Sequence, residues 1–413
     1  MNQNARNTRF DPNRLNIGAY YLNPYARTEQ HIRDVADCGV DFILNFDYDR
    51  AALDLFAKYG IGAVVWKQVP YWLGGSENDG KMAEVNPLGQ YEEEAKAFVD
   101  HPAVWAIDIG DEPSALDFAH YGKVFDLVSR LFPNQMPFLN LYPNYAKVSS
   151  NSDSTAKGQL GEPSYEAYIQ RYCELVPSDY ISYDFYLYEH KVSKHYENLR
   201  IVADAARNTS RSMWIVLQVN STSTEIWMSE NNLRFQAYSA MAFGAQTIMW
   251  ACYTAGWWVN QVLDDEGNKT QQYEKLKKIN REIHTIGETY MRYRRVSTHF
   301  VGLVGHEDMD GVQQQATERL NTGVFFDVHA DNGAPLVVGQ MVAKNGDGSH
   351  ALMICAADDP HDKAPQTYSI VFRTEGRAVT AIGGNGRLPV TVRADGTFAV
   401  EVCSNAGVLL IAR

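Results

Sequence analysis

Between Leu15 and Tyr293, short apolar runs alternate with amphipathic stretches. The apolar runs are Leu15–Leu22, Val40–Phe46, Ile61–Trp66, Val104–Gly110, Pro137–Tyr142, Tyr180–Tyr186, Met213–Val219 and Ala245–Tyr253. Most do not alternate, as expected of parallel strands buried on both faces. The stretches Thr28–Cys38, Arg50–Tyr59, Gln90–Asp100, Ala115–Phe132, Ser164–Val176, Glu197–Asn208, Asn231–Phe243 and Thr270–Tyr293 read as helices. Gly39, Gly60 and Gly244 follow three of them, where a left-handed C-cap is favoured. Eight such units predict an α/β chain built as a (β/α)8 TIM barrel. A doubly wound sheet would carry a glycine-rich loop after its first strand, and Tyr20-Tyr21-Leu22-Asn23-Pro24 is nothing like one.

Beyond Tyr293 the helical spacing stops. Short runs at Val324–Val328, Leu336–Val342, Ala351–Cys355, Tyr368–Phe372, Pro389–Val392 and Val408–Ile411 are split by turn signals such as Asn332-Gly333 and Asp395-Gly396. The expected organisation is an extension over residues 1–14, a catalytic barrel over 15–293 and a smaller all-β sandwich over 294–413.

Composition then narrows the partners. The chain carries 37 basic and 50 acidic residues, a net charge of -13. That disfavours nucleic acid and anionic membrane surfaces, both of which require a basic face. No apolar run reaches the length of a membrane span, and the amino-terminal residues lack the apolar core of a secretory signal, so a soluble, cytoplasmic chain is expected. Homo-oligomers remain open. The five cysteines, Cys38, Cys173, Cys252, Cys355 and Cys403, are widely spaced without a CxxC, so buried free thiols are expected in place of disulfides or zinc ligands. Aromatic residues make up 12% of the chain, a composition suited to stacking on flat apolar faces.

In a barrel of this kind the site lies at the carboxyl ends of the strands. Those ends supply Tyr20 and Asn23; Asn45, Asp47 and Asp49; Trp66 and Lys67; Asp108, Asp111 and Glu112; Asn140, Tyr142 and Asn144; Asp184, Tyr186 and Tyr188; Gln218 and Asn220; and Trp250, Tyr253, Trp257 and Trp258. Carboxylates and amides for hydroxyls, with rings for C–H faces, fit a neutral oligosaccharide or glycoside. Neither HxH nor HExxH occurs, so no metal is expected; GxSxG and Walker loops are also absent, and no cofactor is implied. Lys67 could form a Schiff base, though a paired cation is the commoner role. Each Trp is by default a packing residue, but Trp250, Trp257 and Trp258 around one strand end favour at least one sugar platform.

The Gly110-Asp111-Glu112-Pro113 turn is the most informative segment. A residue before proline is biased towards an extended backbone, which would aim the Glu112 carboxyl at a substrate oxygen. The plainer alternative is a cap on the following helix, a role open to Asp111, Glu112 or Ser114.

This turn resembles that of clan A glycoside hydrolases, barrels that carry an acid/base glutamate in an Asn-Glu-Pro sequence at the end of strand four. The chain is more closely similar to bacterial glycosidase-like barrels. It shares with them an Asp-Glu-Pro turn, Gly110-Asp111-Glu112-Pro113 here where theirs reads Gly-x-Asp-Glu-Pro, and Asn140-Leu141-Tyr142-Pro143-Asn144-Tyr145, Tyr183-Asp184, Leu217-Gln218, Leu233-Arg234 and Gly244-Ala245. The resemblance covers about residues 15–293. It implies a glycosidase with Glu112 as general acid/base; from the strand-end set, Asp47, Trp66, Lys67, Asp111, Asn140, Tyr142, Tyr186, Gln218, Trp250 and Trp257 are the expected substrate-binding residues.

One departure matters. Retaining clan A enzymes place a nucleophilic glutamate at the end of strand seven, where this chain has Gln218. Either the second carboxylate comes from elsewhere (Asp184 first, then Glu225, Asp47 or Asp111), or a glutamate has been replaced, or the barrel binds sugar without cleaving it. The similar barrels also carry glutamine, which favours the first. The short Asp184 side chain would leave room for water opposite Glu112 and so favours inversion. Loops over Tyr71–Asn86 and Asn144–Glu162 are long enough to wall off a cleft, which favours exo action.

Overall fold

A computed structural model describes residues 9–74, 79–146, 159–302, 316–361 and 365–413. The expected barrel is present. Strands β1 (Asn16–Tyr20), β2 (Phe42–Phe46), β3 (Gly62–Val65), β4 (Val104–Asp111), β5 (Met136–Leu141), β6 (Tyr180–Asp184), β7 (Ser212–Gln218) and β8 (Ala245–Ala251) follow in order round a closed parallel barrel. β8 closes on β1 with Asn16 opposite Thr247. Almost every strand residue is buried, which is why these segments read as continuous apolar runs.

Helices cover the outside: α1 (Glu29–Asp37), α2 (Arg50–Tyr59), α3 (Met82–Val85), α4 (Leu88–Ala95), α5 (Phe118–Leu131), α6 (Tyr165–Leu175), α7 (Val192–Thr209), α8 (Glu230–Ala242) and α9 (Gln271–Tyr290). Local chemistry sets their ends. Thr28 and His31 form a reciprocal capping box on α1, and Asp49 accepts from the Ala52 N–H at the start of α2. Gly60 ends α2 with φ 73°. The helix expected over Gln90–Asp100 is α4, which begins two residues earlier, behind Pro87 at its N-cap, and ends at Ala95, while α3 falls in the expected loop before it.

The floor of the barrel is aromatic. Phe10 packs its ring against Phe42, Trp105 and Trp214, with centroids 5.1–5.2 Å apart. The indole of Trp105 occupies the space a side chain at Gly62 would need, so a large residue on β4 is matched by none on β3.

The remaining strands form the expected smaller all-β sandwich. A seven-stranded sheet contains β9 (Tyr293–Val301), β10 (Ala316–Thr317), β12 (Leu336–Ala343), β13 (His350–Ala356), β15 (Val379–Gly383), β16 (Gly386–Leu388) and β19 (Gly407–Ala412). A four-stranded sheet contains β11 (Phe325–Ala330), β14 (Thr367–Thr374), β17 (Thr391–Val392) and β18 (Phe398–Cys403). Val338, Leu352 and Leu410 of the first sheet share one core with Phe325, Ile370 and Val400 of the second. The first sheet's other face packs on the barrel: Val337, Met353 and Leu409 belong to the barrel's own core. Glycine permits this approach, because a side chain at Gly339 would overlap the Ala242 carbonyl and one at Gly407 the Tyr238 ring. The barrel and sandwich therefore share a continuous apolar seam. Among the described residues all five cysteines are free and no helix is long and apolar enough to cross a membrane.

Candidate active site

β4 delivers its acids to the carboxyl end of the barrel, and a neighbouring loop fixes them there. The Asp111 N–H donates to the Trp72 carbonyl at 2.8 Å, and the Gly74 N–H donates to the Asp111 carbonyl at 2.9 Å. The Glu112 N–H donates to the Asn140 carbonyl at 2.9 Å. Glu112 has φ 49°, in the left-handed region, not the extended backbone expected before Pro113. The pairing on both sides of the residue overrides the proline bias, and such a conformation costs about 1–3 kcal/mol unless its surroundings hold it. Helix capping falls to Ser114, whose hydroxyl accepts from the Leu116 N–H.

Gly74 lies directly over this turn, and a Cβ there would overlap the Glu112 carbonyl oxygen. Gly74→Ala is expected to displace the Glu112 turn and lower turnover at least about tenfold, as small misplacements of catalytic groups do. Unchanged kcat in that variant would detach the loop from the function of Glu112.

Four acids meet at this end. Asn140, on β5, links them: its Nδ2 donates to Asp184 Oδ1 at 3.1 Å and lies within hydrogen-bonding reach of Asp111. The Asn140 Oδ1 is oriented by the Ser182 hydroxyl at 2.8 Å. Asp184 Oδ2 accepts from the Tyr145 hydroxyl at 3.1 Å. The carboxyls of Glu112 and Asp184 are within hydrogen-bonding reach of each other. Burial, then the charges of Asp184 and Asp111, push Glu112 well above the usual carboxylate range. Burial raises Asp184 to about 7, with the Asp111 charge adding to it. Burial likewise raises Asp111 to about 6, against the opposing effect of Asn140. Asp108, 3% exposed, is pushed up by burial and by Asp111. Burial and mutual repulsion thus favour the protonated form across the cluster, with Glu112 and Asp108 raised well above the usual carboxylate range.

The proximity of Glu112 and Asp184 bears on one expectation. An inverting pair needs a separation of about 6.5–9.5 Å to hold water and sugar between its carboxyls. Here Asp184, bonded by Asn140 and Tyr145, lies within hydrogen-bonding reach of Glu112, closer than that spacing.

Tyr142, Tyr186 and Trp257 stand around the acids. Tyr142 is 3% exposed, and Glu112 adds to burial in raising its hydroxyl. Trp257 meets the rings of Tyr20, Tyr21 and Tyr186 at 5.5–6.0 Å, and Trp258 meets Tyr186 at 4.6 Å. Asp47, Trp66 and Lys67 form a separate group at the rim. The Trp66 indole N–H donates to Asp47 Oδ1 at 2.8 Å, Arg27 pairs with Asp47 at 3.1 Å, and the Lys67 ammonium lies 3.6 Å from the Trp66 ring centroid. An exposed ammonium on an indole face is a cation–π contact, not the desolvated amine of a Schiff-base enzyme.

Two further expected residues are not brought to the acids. Trp250 is fully buried and donates its indole N–H to Asn280 of α9 at 2.9 Å, on the outside of the barrel wall. It cannot present a ring to a sugar. Trp250→Phe is expected to cost about 1–3 kcal/mol, because Asn280 Oδ1 loses its buried donor, while kcat stays unchanged; urea unfolding together with a turnover assay checks both. Gln218 is also fully buried. Its Oε1 accepts from the Tyr188 N–H at 3.1 Å and its Nε2 donates to Glu189 at 3.4 Å, so the amide fastens the turn after β6 instead of offering itself to a substrate hydroxyl. Glu225, considered as a second carboxylate, is exposed and makes no contact with the acids.

Other residues at the site had no role assigned from the sequence. Tyr145 holds Asp184 and stacks on His190 with centroids 3.9 Å apart. Tyr71 feels the charges of Asp108 and Asp111, and Asn45 lies within hydrogen-bonding reach of it. Part of each proposed wall, residues 75–78 and 147–158, lies outside the described residues. Among the described residues no group of three or more His, Cys, Asp or Glu side chains is disposed to hold a metal ion.

No family model matches the chain, and neither does any curated protein. Among solved structures, a glucosidase from Croceicoccus marinus is similar over 97% of this chain and 96% of its own, with TM-score 0.45 and 12% identity. α-Galactosidase I from Mortierella vinacea is similar over 100% and 98%, with TM-score 0.45 and 10% identity. A family 51 α-L-arabinofuranosidase from Bifidobacterium longum covers 98% and 97%, with TM-score 0.43 and 10% identity.

Proposed function

We propose that the chain is a glycoside hydrolase acting on a neutral glycan or glycoside, with Glu112 as the general acid. The observation that carries this reading is the Glu112 carboxyl, held at a strand end by backbone pairing on both sides and pushed above the usual carboxylate range by burial, Asp184 and Asp111. A carboxyl whose proton is held more tightly than usual is suited to give it to a leaving glycosidic oxygen. Asp184 takes the part of the carboxylate that shares this proton. Tyr186, Trp257 and Trp258 supply apolar faces for a sugar ring. Exo action belongs to the same reading and rests on the lengths of the two loops at the rim. The test is release of reducing sugar from a panel of oligosaccharides and nitrophenyl glycosides. One residue at a time supports exo action, and a ladder of fragments opposes it.

A second reading is favoured by Gln218. The end of β7 presents an amide engaged on both sides, not a carboxylate. A barrel that binds carbohydrate without cleaving it would look this way. Calorimetric binding of an oligosaccharide with no hydrolysis of any substrate in the panel would select it.

A further inference from the structure

At the opposite end of the barrel, below the amino ends of β7 and β8, lies a cavity of about 440 Å³. That volume is within the range of about 300–1,000 Å³ common to small-molecule sites. Its lining includes Arg207, Arg211, Arg294, Arg295 and Lys344, together with Ser210, Asn13 and Gln246, and no Asp or Glu. In a chain with net charge -13 this is a local reversal of sign.

Internal partners offset only part of the charge. Arg295 pairs with Asp204 at 3.0 Å, and Arg207 lies 4.0 Å from the same carboxylate while donating to the Val296 carbonyl. Arg211 donates to the carbonyls of Cys173 and Val176, which orient the guanidinium without neutralising it. Arg294 and Lys344 have no carboxylate within ion-pairing distance among the described residues. The carboxyl end of α7 also faces the cavity, and its partial charge of about −0.5 leaves the balance well positive.

We propose that this cavity binds a small molecule carrying a multiply charged oxyanion, such as a phosphate ester, with Arg294 and Lys344 as its free cationic contacts. Guanidinium forks match phosphate oxygens in pairs, while the lysine acts as a point charge. The inference is independent of the glycosidase reading, because the cavity and the acids lie at opposite ends of β7, a strand of about 20 Å.

The experiment is calorimetric titration of the full chain with inorganic pyrophosphate at fixed ionic strength. The expected result is saturable binding with Kd of about 1 mM or tighter. The double variant Arg294→Gln with Lys344→Met should weaken it at least tenfold, and Lys344→Arg should keep most of it. Both positions are exposed, and the melting temperature without ligand verifies that the variants fold. No saturation up to about 10 mM pyrophosphate overturns the proposal. So does equal affinity in the wild type and the double variant, which would mark an adventitious ion only.

Discussion

Glu112→Gln is expected to lower kcat on an unactivated glycoside by about 10²–10⁴-fold, the usual contribution of a positioned general acid. The amide preserves shape and removes only the proton to be given. The backbone hydrogen bond from the Glu112 N–H to the Asn140 carbonyl does not involve the side chain, so the φ 49° turn should persist. A structural role and an acid role separate on leaving-group dependence. A dinitrophenyl glycoside, whose phenolate departs without protonation, should lose far less activity than an unactivated disaccharide. Equal losses on both would point to a distorted site, and near-normal turnover of the disaccharide would remove Glu112 from the mechanism.

The barrel was legible because its strands are buried on both faces, so each appears as an unbroken apolar run between capped helices. The same property conceals direction. In a strand that is apolar inside and outside, the pattern does not say whether Trp250 faces the lumen or α9, and it faces α9. Trp257 lies six residues past the last residue of β8, beyond the strand, and reaches the aromatic group around the acids. Gln218 ends β7 as expected, yet its partners, Tyr188 and Glu189, come from the turn after β6, which no local pattern links to it.

The Gly110-Asp111-Glu112-Pro113 turn carried its chemistry openly, but not its conformation. Proline restricts Glu112 only through local sterics, whereas Trp72 and Gly74 pair with Asp111 from a loop nearly forty residues earlier. In the sandwich, β9 stayed hidden because Tyr293–Val301 buries little besides its two ends and so has no apolar run. Tyr145 was visible as part of a motif, but its hydroxyl acquires a role only when β5 and β6 lie side by side.

The acid cluster also sets a stability signature. Asp184 titrates at about 7 in the folded chain and near 4 when unfolded, so between those values the folded state holds the proton that the unfolded state releases. Its contribution is therefore intact below about pH 4 and is lost as pH rises towards 7. Asp111, raised to about 6, acts in the same direction. His195 opposes them over the same window: burial lowers it to about 3, so stability falls as acid protonates the unfolded imidazole. The wild-type curve alone would mix these slopes, so the informative quantity is a difference. Asp184→Asn keeps partners for Asn140 and Tyr145, the Tyr145 hydroxyl turning to accept, and removes the titration. Relative to wild type, the variant should gain about 2–3 kcal/mol in urea unfolding free energy between pH 5 and pH 8, whatever fixed offset the amide introduces. A difference that stays flat across this range would mean that Asp184 is ionised throughout, and Glu112 would then lose the neighbour proposed to share its proton.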